Sequence, residues 1–349
     1  MNPKGFGRIK KRREKLESRK DWLSEINRII PWEMFLSILD QLPKPERKSN
    51  AGRKPIDVLL LFKLLILQQL YNLSDEELEY QTHDRGSFRR FLGLAPTAEV
   101  PDATTLWLFR QRLIGAGLIE ELFERFNGFL EENGYEAKGG QIIDATLVPV
   151  PIQHNSREEN KQIKQGEIPP EWEDKPHKQS QKDTDARWTK KNGKSHFGYK
   201  NHINIDAEHG FIRKHSVTPA SVHDSQQFCE VLDGENASDE SWADSAYRSE
   251  DLESGLKELD FMSQIHERAY RNHPLTEEQK ETNRVKSTVR AKVEHVFGTW
   301  VMNLGGKLVR CIGLARVTSQ LGLKDLAYNL RRYVFWYKKE EQTLQNQCV

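Results

Sequence analysis

The sequence predicts a mixed α/β domain behind an all-α N-terminal one. Three observations lead there. From Asp21 to about Leu130 the apolar residues recur at helical spacing. After Gly139-Gly140 the spacing shortens to the alternation of strands, and from about Thr282 helical spacing returns. Strands followed by helical and strand elements and a closing helix make a sheet layered with helices.

A chain of 349 residues is long enough for two units, and the pattern divides it into a basic arm over 1–20, a helical domain over 21–135 and an α/β domain over 136–349. The chain is 30% charged and 36% hydrophobic, with a mean hydropathy of -0.76. Its longest apolar run, Val58 to Leu70, is interrupted by Lys63, Gln68 and Gln69, which suits a buried helix and not a bilayer span. The charge-rich start is not followed by an apolar stretch, so no signal peptide is expected. Cys229, Cys311 and Cys348 are odd in number and lack metal-type spacing, which points to a reducing, cytoplasmic setting.

The net charge of +1 conceals an uneven distribution, because residues 4–20 alone hold nine Lys or Arg. Such a run is a solvated tail or an arm for DNA phosphates. In the helical domain, Ser74-Asp75-Glu76-Glu77 has the form of a capping box. Pro101-Asp102 opens a helix through Arg112 whose stripe is Leu106, Phe109 and Leu113, with Arg110 and Arg112 on other faces. Short helices with Arg85, Arg89 and Arg90 nearby suit either a helix-turn-helix-like unit or a plain bundle.

In the α/β part, strands are expected over Gln141–Val150, around Phe197, Tyr199, Ile203 and Ile205, over Phe211–Thr218, over Ser241–Ala243 and over Phe261–Ile265. Helices are expected over Asp224–Leu232 and Leu252–Leu259. Residues 151–195 are so rich in Lys, Glu, Gln, Pro and Asn that they read as a long mobile insertion that buries no core, ordered by DNA if at all.

Three carboxylates carry the chemistry. Asp144 stands inside Gln141-Ile142-Ile143-Asp144-Ala145-Thr146-Leu147-Val148, where a charge is costly unless it is paired or bound to metal. Asp244 follows a short strand in Trp242-Ala243-Asp244-Ser245-Ala246-Tyr247, and alone it suits a turn or a cap as well as a ligand. Glu294 sits ~100° round a helix from Val293, at the edge of a stripe of Val289, Val293, Val296 and Trp300, with Arg290 one turn earlier. For an isolated helix, a solvated Glu–Arg pair would suffice. Two strand-end aspartates and a helix-edge glutamate together provide the oxygen ligands for two Mg2+ ions about 4 Å apart, the arrangement of phosphoryl transfer.

Rival groups weigh less. His196, His202, His209, His215 and His223 fit no zinc spacing, Asp206 reads as a hairpin turn and Asp224 as a helix cap. No Gly-rich nucleotide loop is present, so no nucleotide cofactor is expected.

From about Ala51 onward the chain resembles the insertion-sequence-five transposases. Gly52-Arg53-Lys54-Pro55 and Pro101-Asp102-Ala103-Thr104-Thr105-Leu106-Trp107 resemble the family's N-terminal domain, and Asp144-Ala145-Thr146 its first-aspartate strand. Lys182-Asp183-Thr184-Asp185-Ala186-Arg187-Trp188, His196-Phe197-Gly198-Tyr199-Lys200 and Ser221-Val222-His223-Asp224-Ser225 resemble its middle blocks. Ala243-Asp244-Ser245-Ala246-Tyr247, Val293-Glu294-His295-Val296-Phe297-Gly298 and Leu326-Ala327-Tyr328-Asn329-Leu330 resemble its later ones.

The resemblance implies a ribonuclease-H-like DDE catalytic domain with Asp144, Asp244 and Glu294 as catalytic and metal-binding residues, Mg2+ as cofactor and Mn2+ as its substitute. It implies a nucleoid-associated bacterial transposase that binds double-stranded DNA at the element's inverted repeats and at the target site, works as a homodimer or larger assembly, and cuts and joins strands. DNA contacts are expected from Arg290, Lys292, Arg53, Lys54, Arg110 and Arg112. Alternatives are a ribonuclease-H-like nuclease without strand transfer and a catalytically silent DNA-binding regulator. The broader family signature runs Tyr, two residues, Arg, three residues, Glu, six residues, Lys. Arg290 and Glu294 fit it, whereas Ser287 takes the Tyr position and Val301 the Lys position. Lys292, Lys307 and Arg310 are the nearest replacements for that lysine, with Gly305-Gly306 breaking the helix before the last two.

Overall fold

A computed structural model describes residues 21–43, 55–270 and 273–347. The basic arm, Arg53, Lys54 and Cys348 lie outside the described residues.

The N-terminal region is helical: α1 Trp22–Ile29, α2 Leu36–Leu39, α3 Val58–Tyr71, α4 Asp75–Asp84, α5 Gly86–Leu92, α6 Ala103–Gly115 and α7 Leu118–Glu132. Local chemistry sets their starts. Ser74 accepts from the Glu77 amide, and Asp102 accepts from the Thr105 amide at 2.7 Å. Glu77 does not complete the expected capping box, because its carboxylate takes the Gln81 side chain instead. The apolar run expected to be a buried helix is α3, with Phe62, Leu65, Ile66 and Leu67 fully enclosed. Among the described residues no single helix is long and apolar enough to cross a membrane.

Next come β1 Gln141–Pro149, three short helices (α8 Arg157–Lys164, α9 Pro170–Glu173, α10 Pro176–Ser180), β2 Arg187–Lys191, β3 Lys194–Asp206, β4 Ile212–Pro219, β5 Glu240–Trp242, α11 Glu250–Glu258 and β6 Met262–Ser263. Two long helices, α12 Glu277–Met302 and α13 Leu314–Gln347, close the chain. The sheet runs β2-β3-β1-β5-β6, with β4 also on β3. Strands β1, β3 and β4 are antiparallel neighbours, while β5 and β6 run parallel to β1. This is the mixed sheet flanked by helices that the sequence and the resemblance imply.

Its two faces are covered differently. Ile142 joins the core shared with α12 and α13, whereas Ile143 packs with Phe228, Val231, Leu252 and Leu256 on the other face. Helix α13 packs on β4 and also on α1, α3 and α7, so one continuous core runs from the helical region into the sheet.

The structure differs from expectation in four places. Residues 151–195 do bury apolar groups: Trp172 is fully enclosed, and its indole donates to Glu159 at 2.6 Å. Glu159 also completes a capping box with Ser156 and accepts from Lys178, so one carboxylate organises the insertion. Strand β2 was not anticipated, yet it turns into β3 through Asn192-Gly193, both at positive φ, a strong hairpin signal. The helix expected over 224–232 is only a 3-10 turn, Asp224–Gln227, capped by His223 and not by Asp224. Phe228, Val231 and Leu232 instead cover Ile143. Helix α12 begins earlier than about Thr282, because Thr276 and Gln279 form a reciprocal capping box.

Candidate active site

Strand register brings the first two carboxylates together. Ile142 of β1 pairs with Trp242 of the parallel strand β5, and Asp144 and Asp244 each lie two residues beyond that pair. They therefore leave neighbouring strands in the same direction at the same level. Gly140, at the entrance of β1, permits this pairing: a Cβ there would lie 2.2 Å from the Trp242 ring. Asp244 starts a turn in which its carboxylate accepts from the Ala246 amide at 2.7 Å and its carbonyl accepts from Tyr247.

Helix α12 supplies the third. It packs across β1 and β5 through Val293, Val296, Phe297 and Trp300, all buried. Burying Val293, Val296 and Phe297 is worth about 1.5–3 kcal/mol each, against ~0.5 kcal/mol for a helical Arg–Glu pair. Packing therefore holds the helix, and Arg290 and Glu294 are free to serve the site. Arg290 donates to Asp144 at 2.8 Å and to Glu294 at 3.2 Å. The Asp144 side chain is 13% exposed and that of Glu294 57%, so the site is anchored inside and open at the helix.

The electrostatics record a surplus of negative charge. Burial first, opposed by Arg290 and aided by the nearby charges of Asp244 and Glu294, leaves the Asp144 carboxyl raised to about 6. Tyr247 is buried near Asp144, Asp224 and Asp244, and its hydroxyl, which has no hydrogen-bond partner among the described residues, is driven well above the usual phenol range by burial and then by those charges. Burial, and then the charge of Arg290, lowers the His266 pKa, and the ring lies 3.4 Å from the Ser287 hydroxyl. Asp206 and Asp224 are engaged by other groups. Asp206 binds the amides of its hairpin turn and Arg213, and Asp224 pairs with Lys200 at 2.7 Å.

Of the three candidates for the missing lysine, Lys307 is the one brought to the carboxylates. The chain breaks at Gly305-Gly306, both at positive φ; a Cβ on Gly305 would meet the Tyr71 carbonyl at 2.6 Å. The turn sends residues 307–309 back along the end of β1, where Lys307 donates to Thr146 at 2.5 Å and Val309 to Pro149. Burial lowers the Lys307 pKa, and the charges of Glu294 and Asp144 pull it back up. It faces them with a hydroxyl, and no carboxylate, as its hydrogen-bond partner. Val301 and Lys307 line one cavity beside the end of β1. Lys292 bonds the Ala207 carbonyl, and Arg310 the Asn72 carbonyl. Arg110 is spent on Asp75 and Gln68 between α3, α4 and α6, and Arg112 on the Pro43 carbonyl.

Hard carboxylate oxygens with uncompensated negative charge fit a divalent cation such as Mg2+. Arg290 offsets only part of that charge, and among the described residues no three acidic, His or Cys side chains converge on one point. Sequence reasoning missed Tyr247 and His266. The signal for Tyr247 was its place three residues after Asp244; nothing in the sequence pointed to His266.

Two family models match the chain. The family described as Transposase DDE domain matches residues 136–330, and that described as Transposase domain (DUF772) matches residues 11–112. A cryo-EM structure of the piggyBac transposase synaptic complex with hairpin DNA is similar at a TM-score of 0.42 and 9% identity, over 92% of this chain and 74% of that one. The family match spans more than half of the chain and covers both aspartates, Arg290, Glu294 and Lys307: the protein belongs to the DDE transposases, enzymes of DNA transposition that cut and join DNA strands.

Proposed function

We propose that Asp144, Asp244 and Glu294 are the catalytic residues and hold two Mg2+ ions, with Mn2+ as a substitute. The observation that carries this is the shared register of Asp144 and Asp244 on β1 and β5, with Arg290 linking the first of them to Glu294. Bound at these oxygens, the ions would activate the attacking oxygen and stabilise the leaving one during end cleavage and strand transfer.

The chain's own groups do the rest. Arg290 holds Asp144 ionised and Glu294 in place. Lys307, half-buried and without a carboxylate hydrogen-bond partner, contacts the phosphate being cut, the task that Val301 cannot perform. Buried Tyr247 and half-buried His266 flank Asp244. The helical region, with Arg53, Lys54 and the basic arm, binds double-stranded DNA at the inverted repeats and the target, and Lys292 adds a backbone contact. Two ends must be held at once, so the working form is a homodimer or larger assembly. The free Cys229 and Cys311 suit a cytoplasmic, nucleoid-associated enzyme.

The test is a plasmid carrying the element's own ends, incubated with the protein and Mg2+ or with EDTA. Nicking at the ends followed by joined products is expected with Mg2+ alone. Cleavage without joining would indicate a nuclease, and salt-dependent binding without cleavage a silent regulator.

A further inference from the structure

Glu294 forms one end of a groove between α12 and α13. Two adjoining cavities of about 660 and 500 Å³ share His295, Thr299, Asn303, Tyr328, Arg332 and Phe335, and so make one trough. It starts at Glu208, Lys292 and Glu294 and ends at Trp22, Arg331 and Lys338.

Its chemistry is cationic and aromatic. Arg331 lies 4.8 Å over the Trp22 ring, and Lys339 4.4 Å over Trp336. Arg332 sits 5.1 Å over Phe335 and 5.4 Å over Trp336, and its Nε donates to the His209 carbonyl. None of these three cations has a carboxylate partner among the described residues. The acids at the far end are already matched: Asp21 by Arg90 at 2.8 Å, and Glu25 by Arg28 at 3.2 Å and Lys338 at 3.4 Å. Phe335 is 53% exposed, a large apolar face left open beside unpaired positive charge. Cations that track a phosphate backbone, with rings on which bases stack, are the requirements of single-stranded nucleic acid binding. A duplex offers no open base face to Phe335. An acidic peptide would satisfy the cations but not the ring.

We propose that this groove receives an unpaired stretch of the DNA strand that leads away from the phosphate being cut, with backbone on Arg331 and Lys339 and a base on Phe335. The proposal rests on the assignment of Asp144 and Glu294 to the reaction, since the groove opens at Glu294.

The experiment measures binding of the full chain, by fluorescence anisotropy, to a labelled duplex of the element's end. The duplex is blunt or extended by an unpaired 3' or 5' segment. One extension is expected to raise affinity about tenfold, the scale of base–aromatic stacking. Phe335→Ala and Lys339→Gln should each remove most of that gain and leave blunt-duplex affinity within about twofold. Equal affinity of wild type for blunt and extended duplexes would overturn the proposal. So would variants that keep the gain, or variants that lose blunt and extended binding alike. Asp144→Asn runs in parallel with Mg2+ cleavage. If wild type shows the gain and its loss in the variants but never cleaves, the catalytic assignment falls and the groove stands. If it cleaves and shows no gain, the groove alone falls.

Discussion

Arg290 joins Asp144 to Glu294: one guanidinium nitrogen donates to the strand carboxylate at 2.8 Å and another to the helix carboxylate at 3.2 Å. A planar fork can serve two acceptors on different elements; an ammonium on a flexible stem cannot do so with the same geometry. The contact fixes the rotation of α12 against β1 at the point where the reaction takes place.

Replacing Arg290 with Lys should therefore not preserve activity. Both Arg290→Lys and Arg290→Gln are expected to slow end cleavage on the order of 10²–10³-fold, the loss typical of removing one preorganised donor. Single-turnover cleavage of a labelled end checks this, and a Lys variant at full rate would remove the bridging role.

Lys307 stands where Val301 leaves a gap. Lys307→Met is expected to slow the chemical step by about 10²-fold with little change in DNA affinity. In that background Val301→Lys, on the same cavity wall, should restore part of the rate. Rescue and a rate-only defect in kinetics against binding curves would mark Lys307 as the phosphate contact. Equal losses in binding and rate without rescue would mark it as structural.

The fold should lose stability in mild acid through two core histidines. Burial pushes His202 and His215 down from 6.5 to about 4, so each ring is neutral in the folded protein. Between pH 6.5 and about 4 the unfolded chain binds protons that the folded one does not. Stability from these groups is complete above that window, falls as pH drops through it and levels off below it. The loss is on the order of 3 kcal/mol per histidine. Urea melts across the window should show the slope, and His215→Gln should remove about half of it.

Trp172 organises the segment between β1 and β2. Trp172→Ala is expected to cost roughly 3–5 kcal/mol locally. It should expose residues 157–186 to a protease while the melting of the rest changes little. Cleavage of that segment at the same rate in wild type would show that the buried indole does not order it.

How much of this was legible in the sequence differs from residue to residue. Asp144 was, because a charge flanked by Ile142, Ile143 and Leu147 asks for a partner. Asp244 was not legible on its own, since its place beside Asp144 depends on the pairing of Trp242 with Ile142, a long-range register. Glu294 and Arg290 follow from helical spacing. Lys307 was visible only as one of three candidates, because the turn at Gly305-Gly306 decides where it goes. Composition averages out a single Trp172, so it cannot show that one buried ring and its carboxylate partner organise the segment. The missing helix after Asp224 shows apolar spacing serving the opposite sheet face instead of a helix.

The central claim is that Asp144, Asp244 and Glu294 act as one site. Single-turnover end cleavage with Mg2+ tests it most directly, in Asp144→Asn, Asp244→Asn and Glu294→Gln singly and in pairs, each checked for unchanged melting and DNA affinity. Groups that act as a unit are non-additive. The expected result is a loss of about 10⁴-fold or more in every single variant with no further loss in the pairs. Full activity in any one of the three, or losses that multiply in the pairs, would contradict it.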